Sequence, residues 1–318
     1  MPAHEPRSIP SDARAAFAAL GLLLGAGALL LAQTQRIRRL LPAARAVARH
    51  TRRFEREHVD GVAQGRVLIL GDSTAVGVGA DDPRHSLAGW LAHDLPRSQI
   101  VNLARSGATV ADTLDDYEAW LATQPAEAPR FDLVVVQAGG NDALRHTPLA
   151  RVRADADRLL RRLGREQARR CVWLGPANIG LAPVFIAPFS WWMSSRTRRV
   201  VEAIERCAHA HGARFVSFWR TRDEDPFSRD VPTWYARDGL HPSANSYRWC
   251  YRQALHERVL HLRGQLRRDT WRMRAADAPA RMPRACPLPV FAAARQEALA
   301  VAARESEAAS IHHSRRDR

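Results

Sequence analysis

Several short polar motifs in the middle of the chain contain the residue types of nucleophilic catalysis. Ser73 follows an apolar run and opens a helical pattern, so its hydroxyl can be exposed at a tight turn. A serine hydroxyl is a weak nucleophile until a base removes its proton, and His241 is the natural base. Asp238 can accept a hydrogen bond from the other ring nitrogen and stabilise the imidazolium. These three side chains are a set suited to acyl transfer.

Acyl transfer also needs hydrogen-bond donors where negative charge develops on the carbonyl oxygen. The candidate donors are the backbone amides of Ser73 and Gly107 and the side-chain amide of Asn141. Gly107 suits this role because no side chain on its Cα blocks the approach of a substrate. Taken alone, each residue also has a structural interpretation, with Ser73 as a helix N-cap and Gly107 and Asn141 as turn residues.

Five apolar runs that alternate with helical patterns must position these motifs. The runs cover 67–70, 100–103, 133–136, 171–174 and 214–218. The helical patterns cover 87–95, 109–121, 149–163, 194–211 and 243–262. This alternation predicts a parallel sheet covered by helices on both faces. The motifs follow the first, second, third and fifth strands, so we expect them to meet in the crevice at the carboxyl ends of the strands.

Four sequence blocks resemble those of the SGNH hydrolases, also called GDSL esterases and lipases. The blocks are Ser73 in GDS, Gly107, Asn141 in GGND and His241 in DGLHP, and the resemblance spans about 66–262. It implies a three-layer α/β/α sandwich with a flavodoxin-like, five-stranded parallel sheet of order 2-1-3-4-5. It also implies that Ser73 is the nucleophile, that Asp238 and His241 complete the triad, and that Asn141 completes the oxyanion hole.

The resemblance implies a reaction type and leaves the substrate open, because the family includes esterases, thioesterases, carbohydrate deacetylases and some acyltransferases. We expect a serine esterase or lipase acting on a small-molecule or lipid acyl ester. An acyl-thioesterase or an acyltransferase on the same site is the alternative. A non-catalytic, membrane-associated binding module would require a broken triad or oxyanion set, and none of those residues is missing. No cofactor and no metal ion are implied.

Composition excludes several other classes of function. All 48 basic residues are arginine, so the lysine of a Walker A loop or of Schiff-base catalysis is absent. The glycines after the first run lack the GxGxxG spacing of a dinucleotide-binding loop. The four cysteines are too few for a disulfide scaffold and lack the spacing of a zinc site. The net charge of +15 is accompanied by no nucleic-acid-binding motif, so we expect no nucleic-acid partner.

An uncharged segment at 15–32 indicates contact with a membrane. As a helix it would be about 27 Å long, close to the thickness of a bilayer's hydrocarbon core. Two arginines precede the segment and seven follow it between 36 and 53. Because such a cluster marks the cytoplasmic side, we expect an uncleaved single-pass anchor with the catalytic domain in the cytoplasm. A signal peptide removed on export and an interfacial or soluble helix are the alternatives.

These patterns divide the chain into three parts. Residues 1–60 hold the anchor and an Arg-rich juxtamembrane segment, 61–264 form the hydrolase domain, and 265–318 form a weakly ordered Arg/Ala/Pro-rich tail. Within the hydrolase domain, the uncharged segment 181–193 follows the fourth strand and can overhang the crevice. Its Trp191 and Trp192 could bind the acyl part of a substrate, touch a lipid interface, or pack under the following helix.

Overall fold

A five-stranded parallel sheet forms the centre of the computed structural model, which describes residues 11–57, 65–125 and 130–256. Its strands are β1 (Arg66–Gly71), β2 (Gln99–Asn102), β3 (Leu133–Gln137), β4 (Cys171–Leu174) and β5 (Arg214–Val216). They lie in the order β2-β1-β3-β4-β5, and every neighbouring pair is parallel. The sheet order expected from the sequence is therefore confirmed. The fifth strand ends at Val216, two residues before the end of its apolar run.

The described helices flank or follow the strands. They are α1 (Ser11–His50), α2 (Ser73–Val76), α3 (Leu87–Asp94), α4 (Val110–Leu121), α5 (Gly140–Leu144), α6 (Leu149–Gln167), α7 (Phe189–Ala210), α8 (Val231–Trp234) and α9 (Ala244–Tyr251). Helix α7 begins five residues earlier than the helical pattern predicts, directly after Pro188. The predicted last helix extends beyond 256, and its remaining part lies outside the described residues, as does the tail at 265–318.

Two apolar clusters, one on each face of the sheet, make the fold a three-layer α/β/α sandwich. Side chains of successive strand residues point to opposite faces, so Leu68 and Leu70 join one cluster and Val67 and Ile69 the other. Helices α4, α6 and α7 cover the first face, and α3 and α9 cover the second. Burial on both faces explains why the strands are continuous apolar runs rather than alternating ones.

Helix α1 has two different halves. The leucines of its apolar run are exposed, from 41% for Leu29 to 76% for Leu22. Gln33 is the one buried side chain between residues 19 and 39. Beyond it, Val47 packs against the second apolar cluster, and Arg56 pairs with Ile100 at the β2 edge of the sheet. The second half of α1 therefore packs on the α/β sandwich.

By length and composition, α1 is suited either to cross a membrane or to serve as a signal sequence.

Candidate active site

The turn after β1 presents Ser73 at the carboxyl edge of the sheet. Gly71 has a φ of +139°, and a Cβ atom on it would lie 1.9 Å from the carbonyl oxygen of Gln137 in β3. Only glycine fits this close approach of two backbones. Asp72 caps α2, because its Oδ1 accepts hydrogen bonds from the Thr74 amide at 2.9 Å and the Thr74 hydroxyl at 2.6 Å. Ser73 therefore begins a helix immediately after a sharp turn, with its side chain partly exposed.

A continuous hydrogen-bonded chain links Ser73, His241 and Asp238. The His241 Nε2 atom lies 2.9 Å from Ser73 Oγ, and its Nδ1 atom lies 2.5 Å from Asp238 Oδ2. The other carboxylate oxygen of Asp238 accepts from the backbone amides of Leu240 and His241, each at 3.0 Å. The turn that permits this has Gly239 at a φ of +65°. The three predicted residues are thus brought together although Ser73 and His241 are 168 positions apart.

The carboxylate of Asp238 is held in its charged form. Burial alone would raise its pKa, but the His241 hydrogen bond, the charge of the imidazolium and the two backbone amides outweigh burial. The net pKa of Asp238 is therefore lowered from its ordinary value. A charged carboxylate at this position can orient the histidine ring and stabilise the imidazolium.

The two other predicted residues, Gly107 and Asn141, line the same cavity as Ser73 and His241. Asn141 donates one side-chain N–H to the Ala108 carbonyl at 3.0 Å, which orients the amide and leaves its second N–H for another acceptor. Arg145 donates to the Gly107 carbonyl at 2.7 Å and so holds the peptide bond between Gly107 and Ala108.

Two buried aspartates next to the site residues, Asp142 and Asp72, stabilise the turns that carry them. Asp142 accepts a hydrogen bond from the Val110 amide at 3.0 Å, which ties α5 to the start of α4. Burial raises the pKa of Asp142, and the hydrogen bond from Val110 only partly opposes this. Burial likewise raises the pKa of Asp72 against the opposing hydrogen bonds from Thr74.

The cavity beside Ser73 has a volume of ≈ 280 Å³. Its apolar walls include Val78, Leu144, Ile179, Phe218, Phe227 and Leu240. Ala48 of α1 also lines it, which no motif in the sequence predicts. The mostly apolar walls suit an apolar substrate part, whereas the polar groups are concentrated near Ser73.

Trp191 and Trp192 are not among the residues that line this cavity. They lie in the first turn of α7 and are 70% and 53% exposed. The ring of Trp192 stacks on the His146 ring, with 4.1 Å between the ring centroids.

Within residues 11–57, 65–125 and 130–256, the structure contains no group of three or more His, Cys, Asp or Glu side chains that could hold a metal ion.

A sequence model of the GDSL-like lipase/acylhydrolase family matches residues 69–249, more than half of the chain. The protein belongs to this family. It is a hydrolase that acts on ester bonds. The matched region of this GDSL-like hydrolase includes all five predicted triad and oxyanion residues. A search of curated proteins found no match.

Solved structures with a similar fold include three bacterial proteins. A lipolytic GDSL-family protein from Veillonella parvula is 18% identical, with 61% of this chain and 98% of that chain covered and a TM-score of 0.49. The lipase/acylhydrolase from Enterococcus faecalis is 19% identical, with coverages of 63% and 96% and a TM-score of 0.46. Phospholipase A1 from Streptomyces albidoflavus is 20% identical, with coverages of 60% and 98% and a TM-score of 0.47.

The raised pKa of Asp142 leads to a prediction about stability and pH. Because its pKa is higher in the folded protein than in the unfolded chain, this residue's contribution to the free energy of unfolding falls as pH rises above about 4. Asp142→Asn removes that dependence, so the variant should gain stability relative to the wild type as pH rises above about 4. Each tenfold difference in acid dissociation constant corresponds to about 1.4 kcal/mol.

Thermal unfolding of both proteins across this pH range measures the effect. Asp115→Asn is the matched control, because Asp115 is exposed on α4. A constant difference in stability between Asp142→Asn and the wild type at every pH would contradict the prediction.

Proposed function

We propose that this GDSL-like hydrolase is a serine esterase or lipase that cleaves acyl esters through an acyl-enzyme on Ser73. The observation that carries the proposal is the hydrogen-bonded chain from Ser73 Oγ through His241 to Asp238, at 2.9 Å and 2.5 Å, beside an apolar cavity. A nucleophile, a base and a residue that orients the base within hydrogen-bond reach are the requirement for activating a serine hydroxyl.

The reaction proceeds in two halves. Ser73 Oγ attacks the ester carbonyl while His241 Nε2 takes the hydroxyl proton and then gives it to the leaving alcohol. The acyl group is then bonded to Ser73. His241 removes a proton from water, the hydroxide attacks the acyl carbonyl, and the acid leaves as the proton returns to Ser73 Oγ. Asp238 stays ionised throughout, which agrees with the direction of its pKa.

The oxyanion formed in each half is held by the backbone amides of Ser73 and Gly107 and by the free N–H of Asn141. The contact that supports this assignment is the Ala108 carbonyl, which orients the Asn141 amide; Arg145 in addition holds the peptide that follows Gly107 through the Gly107 carbonyl. Donors held in place before the reaction stabilise developing charge without reorganisation at the moment of reaction. An acyl-thioesterase or an acyltransferase would use the same groups, with a thiol as the leaving group or an alcohol in place of water.

We further propose that α1 is an uncleaved membrane anchor with the catalytic region on the cytoplasmic side. Helix α1 is a single helix, with Pro42 inside it, from the apolar segment to the part that packs on the catalytic region. The seven arginines between 36 and 53, against two before residue 15, support the orientation.

The first test is Ser73→Ala, which should abolish nearly all hydrolysis of p-nitrophenyl esters and leave the fold intact, because it removes only the nucleophilic oxygen. A fluorophosphonate probe should label the wild type and not the variant. Asp238→Asn should cost less, because the oxyanion donors still act. Parallel assays with acyl-CoAs separate an esterase from a thioesterase. Turnover in Ser73→Ala equal to that of the wild type would contradict the assignment.

Asn141→Ala tests the oxyanion site. Loss of one oxyanion donor lowers kcat by about 10²–10³ in other serine hydrolases, and we expect a similar loss here with little change in KM. Steady-state kinetics on a p-nitrophenyl ester measure both constants. Asn245→Ala is a control, because Asn245 is exposed on α9. If KM alone rose, Asn141 would bind the substrate and would not stabilise the transition state.

Membrane fractionation tests the anchor. High salt should leave the protein in the membrane fraction and detergent should release it, because the apolar helix is held by the hydrocarbon core. A reporter fused after Arg318 should be active only if it functions in the cytoplasm. An amino terminus processed near residue 29 or 33, with the enzyme outside the cytoplasm, would instead identify a cleaved signal peptide.

A further inference from the structure

We propose that this enzyme acts on acyl esters of lipids while they are in the bilayer, with Gln33 holding the catalytic loop at the membrane boundary and Trp191 and Trp192 in the interfacial layer. The inference rests on the esterase activity and the anchor proposed above. It adds the substrate class, which is an ester lipid in a bilayer and not an ester dissolved in water.

Gln33 connects the end of the apolar segment to the catalytic region. It is the first residue after the uncharged run 15–32, and it is 6% exposed whereas its neighbours on α1 are exposed. Its side-chain amide donates to the Val184 carbonyl at 2.9 Å, and its side-chain oxygen accepts from the Ile186 amide at 3.0 Å. Arg36, one helical turn further on, donates to the Pro183 carbonyl at 2.5 Å. The loop 183–186 is therefore held level with the end of the apolar segment.

The same loop is bonded directly to the loop 238–241, which carries Asp238 and His241 and is called the catalytic loop here. The Val184 amide donates to the carbonyl of Gly239 at 3.0 Å, and Gly239 lies between Asp238 and His241 in sequence. Val184 thus accepts from Gln33 through its carbonyl and donates to the catalytic loop through its amide. Only this one residue separates the membrane end of α1 from the catalytic loop. The site therefore lies next to the point where a membrane-spanning α1 would leave the bilayer.

Two exposed tryptophans continue from the same loop. Trp191 and Trp192 form the first turn of α7, with both amides donating to the Pro188 carbonyl. Indole rings favour the layer between lipid headgroups and acyl chains, where their apolar body and polar N–H both find partners. Two such rings exposed by more than half are unusual on a surface that faces only water.

These tryptophans also lie close to the predicted oxyanion site. Trp192 stacks on His146, and the preceding residue, Arg145, donates to the Gly107 carbonyl. Gly107 lines the catalytic cavity. Trp192 is thus connected through His146 and Arg145 to Gly107. Along the chain, the two tryptophans follow loop 183–186, which is bonded to the end of the apolar segment.

The charge pattern fits a bilayer with anionic headgroups. Arg36, Arg38 and Arg39 are exposed on α1 within two turns of the end of the apolar run. Arginines just outside the hydrocarbon core of a bilayer attract anionic lipid headgroups to that part of the protein. A lipid in that surface presents its ester carbonyls at the headgroup boundary, and the apolar cavity beside Ser73 can take the acyl chain without exposing it to water.

The experiment compares two substrates with the full-length protein reconstituted in vesicles of phosphatidylcholine and phosphatidylglycerol. The bilayer substrate is a phosphatidylglycerol with fluorogenic acyl chains, and the soluble substrate is p-nitrophenyl butyrate. Gln33→Ala removes two hydrogen bonds and should lower the ratio of the bilayer rate to the soluble rate about tenfold. Gln35→Ala, the same change at an exposed position of α1, should leave the ratio at the wild-type value.

The tryptophan pair is tested in the same assay. The double variant Trp191→Ala/Trp192→Ala should also lower the ratio of the two rates about tenfold. The double variant Trp191→Phe/Trp192→Phe should keep a ratio close to that of the wild type, because phenyl rings are also apolar. Val231→Ala is the control at an exposed apolar residue of α8. Brominated phospholipids should quench the fluorescence of the wild type more than that of the Phe double variant, a readout independent of activity.

The outcomes separate this inference from the proposed function. If Ser73→Ala loses hydrolysis of p-nitrophenyl butyrate, the proposed esterase activity is supported whatever the result with the tryptophan variants. An unchanged rate ratio in both Gln33→Ala and the Ala double variant would overturn the bilayer substrate. Equal bromolipid quenching of wild type and Phe double variant would overturn the interfacial position of the tryptophans.

Discussion

The close approach of β1 and β3 at Gly71 is the constraint on which the catalytic arrangement depends. Backbone atoms of the two strands lie so near each other that a Cβ atom on Gly71 would meet the Gln137 carbonyl at 1.9 Å. The Asp72 amide donates to the same carbonyl at 3.0 Å, the last bond between the two strands before the chain turns into α2. Ser73 is consequently the first residue of a helix, with its hydroxyl directed toward the crevice where the other motifs arrive.

The buried carboxylates around this turn divide into two roles with opposite pKa directions. Asp238 accepts from its own turn and from His241, so its pKa is lowered and it supports a positive imidazolium. Asp72 and Asp142 accept hydrogen bonds from backbone amides, but for them burial outweighs the hydrogen bonds and raises the pKa. The difference arises from the His241 ring, to which only Asp238 of the three is hydrogen-bonded. The Asp238 carboxylate is thus bonded to His241, whereas that of Asp72 caps its own turn and that of Asp142 ties α5 to the start of α4.

One buried polar side chain, Gln33, joins the apolar half of α1 to the catalytic region. A helix that is exposed along its leucines and then buries a glutamine inverts the usual distribution of residue types. Both ends of the Gln33 amide have backbone partners in loop 183–186, so burial of this group does not leave a hydrogen bond unmade. The apolar half of the helix and the catalytic loop are in this way parts of a single connected structure.

The sequence alone determined the alternation of strands and helices, and it predicted the residues that the structure brings together beside Ser73. Buried parallel strands are continuous apolar runs, and polar motifs that follow several of them in this order are recognisable as a set, although each residue alone also suits a cap or a turn. The beginning of α7 could not be recognised in this way, because the uncharged composition of 189–193 suits a loop as well as the first turn of a helix. The tertiary structure decided that Ala48 lines the cavity and that Trp191 and Trp192 remain exposed outside it. It also decided that Gln33 pairs with residues 151 and 153 positions away. Such contacts depend on how whole elements pack, and no periodicity or spacing within one segment records which distant segment it will meet.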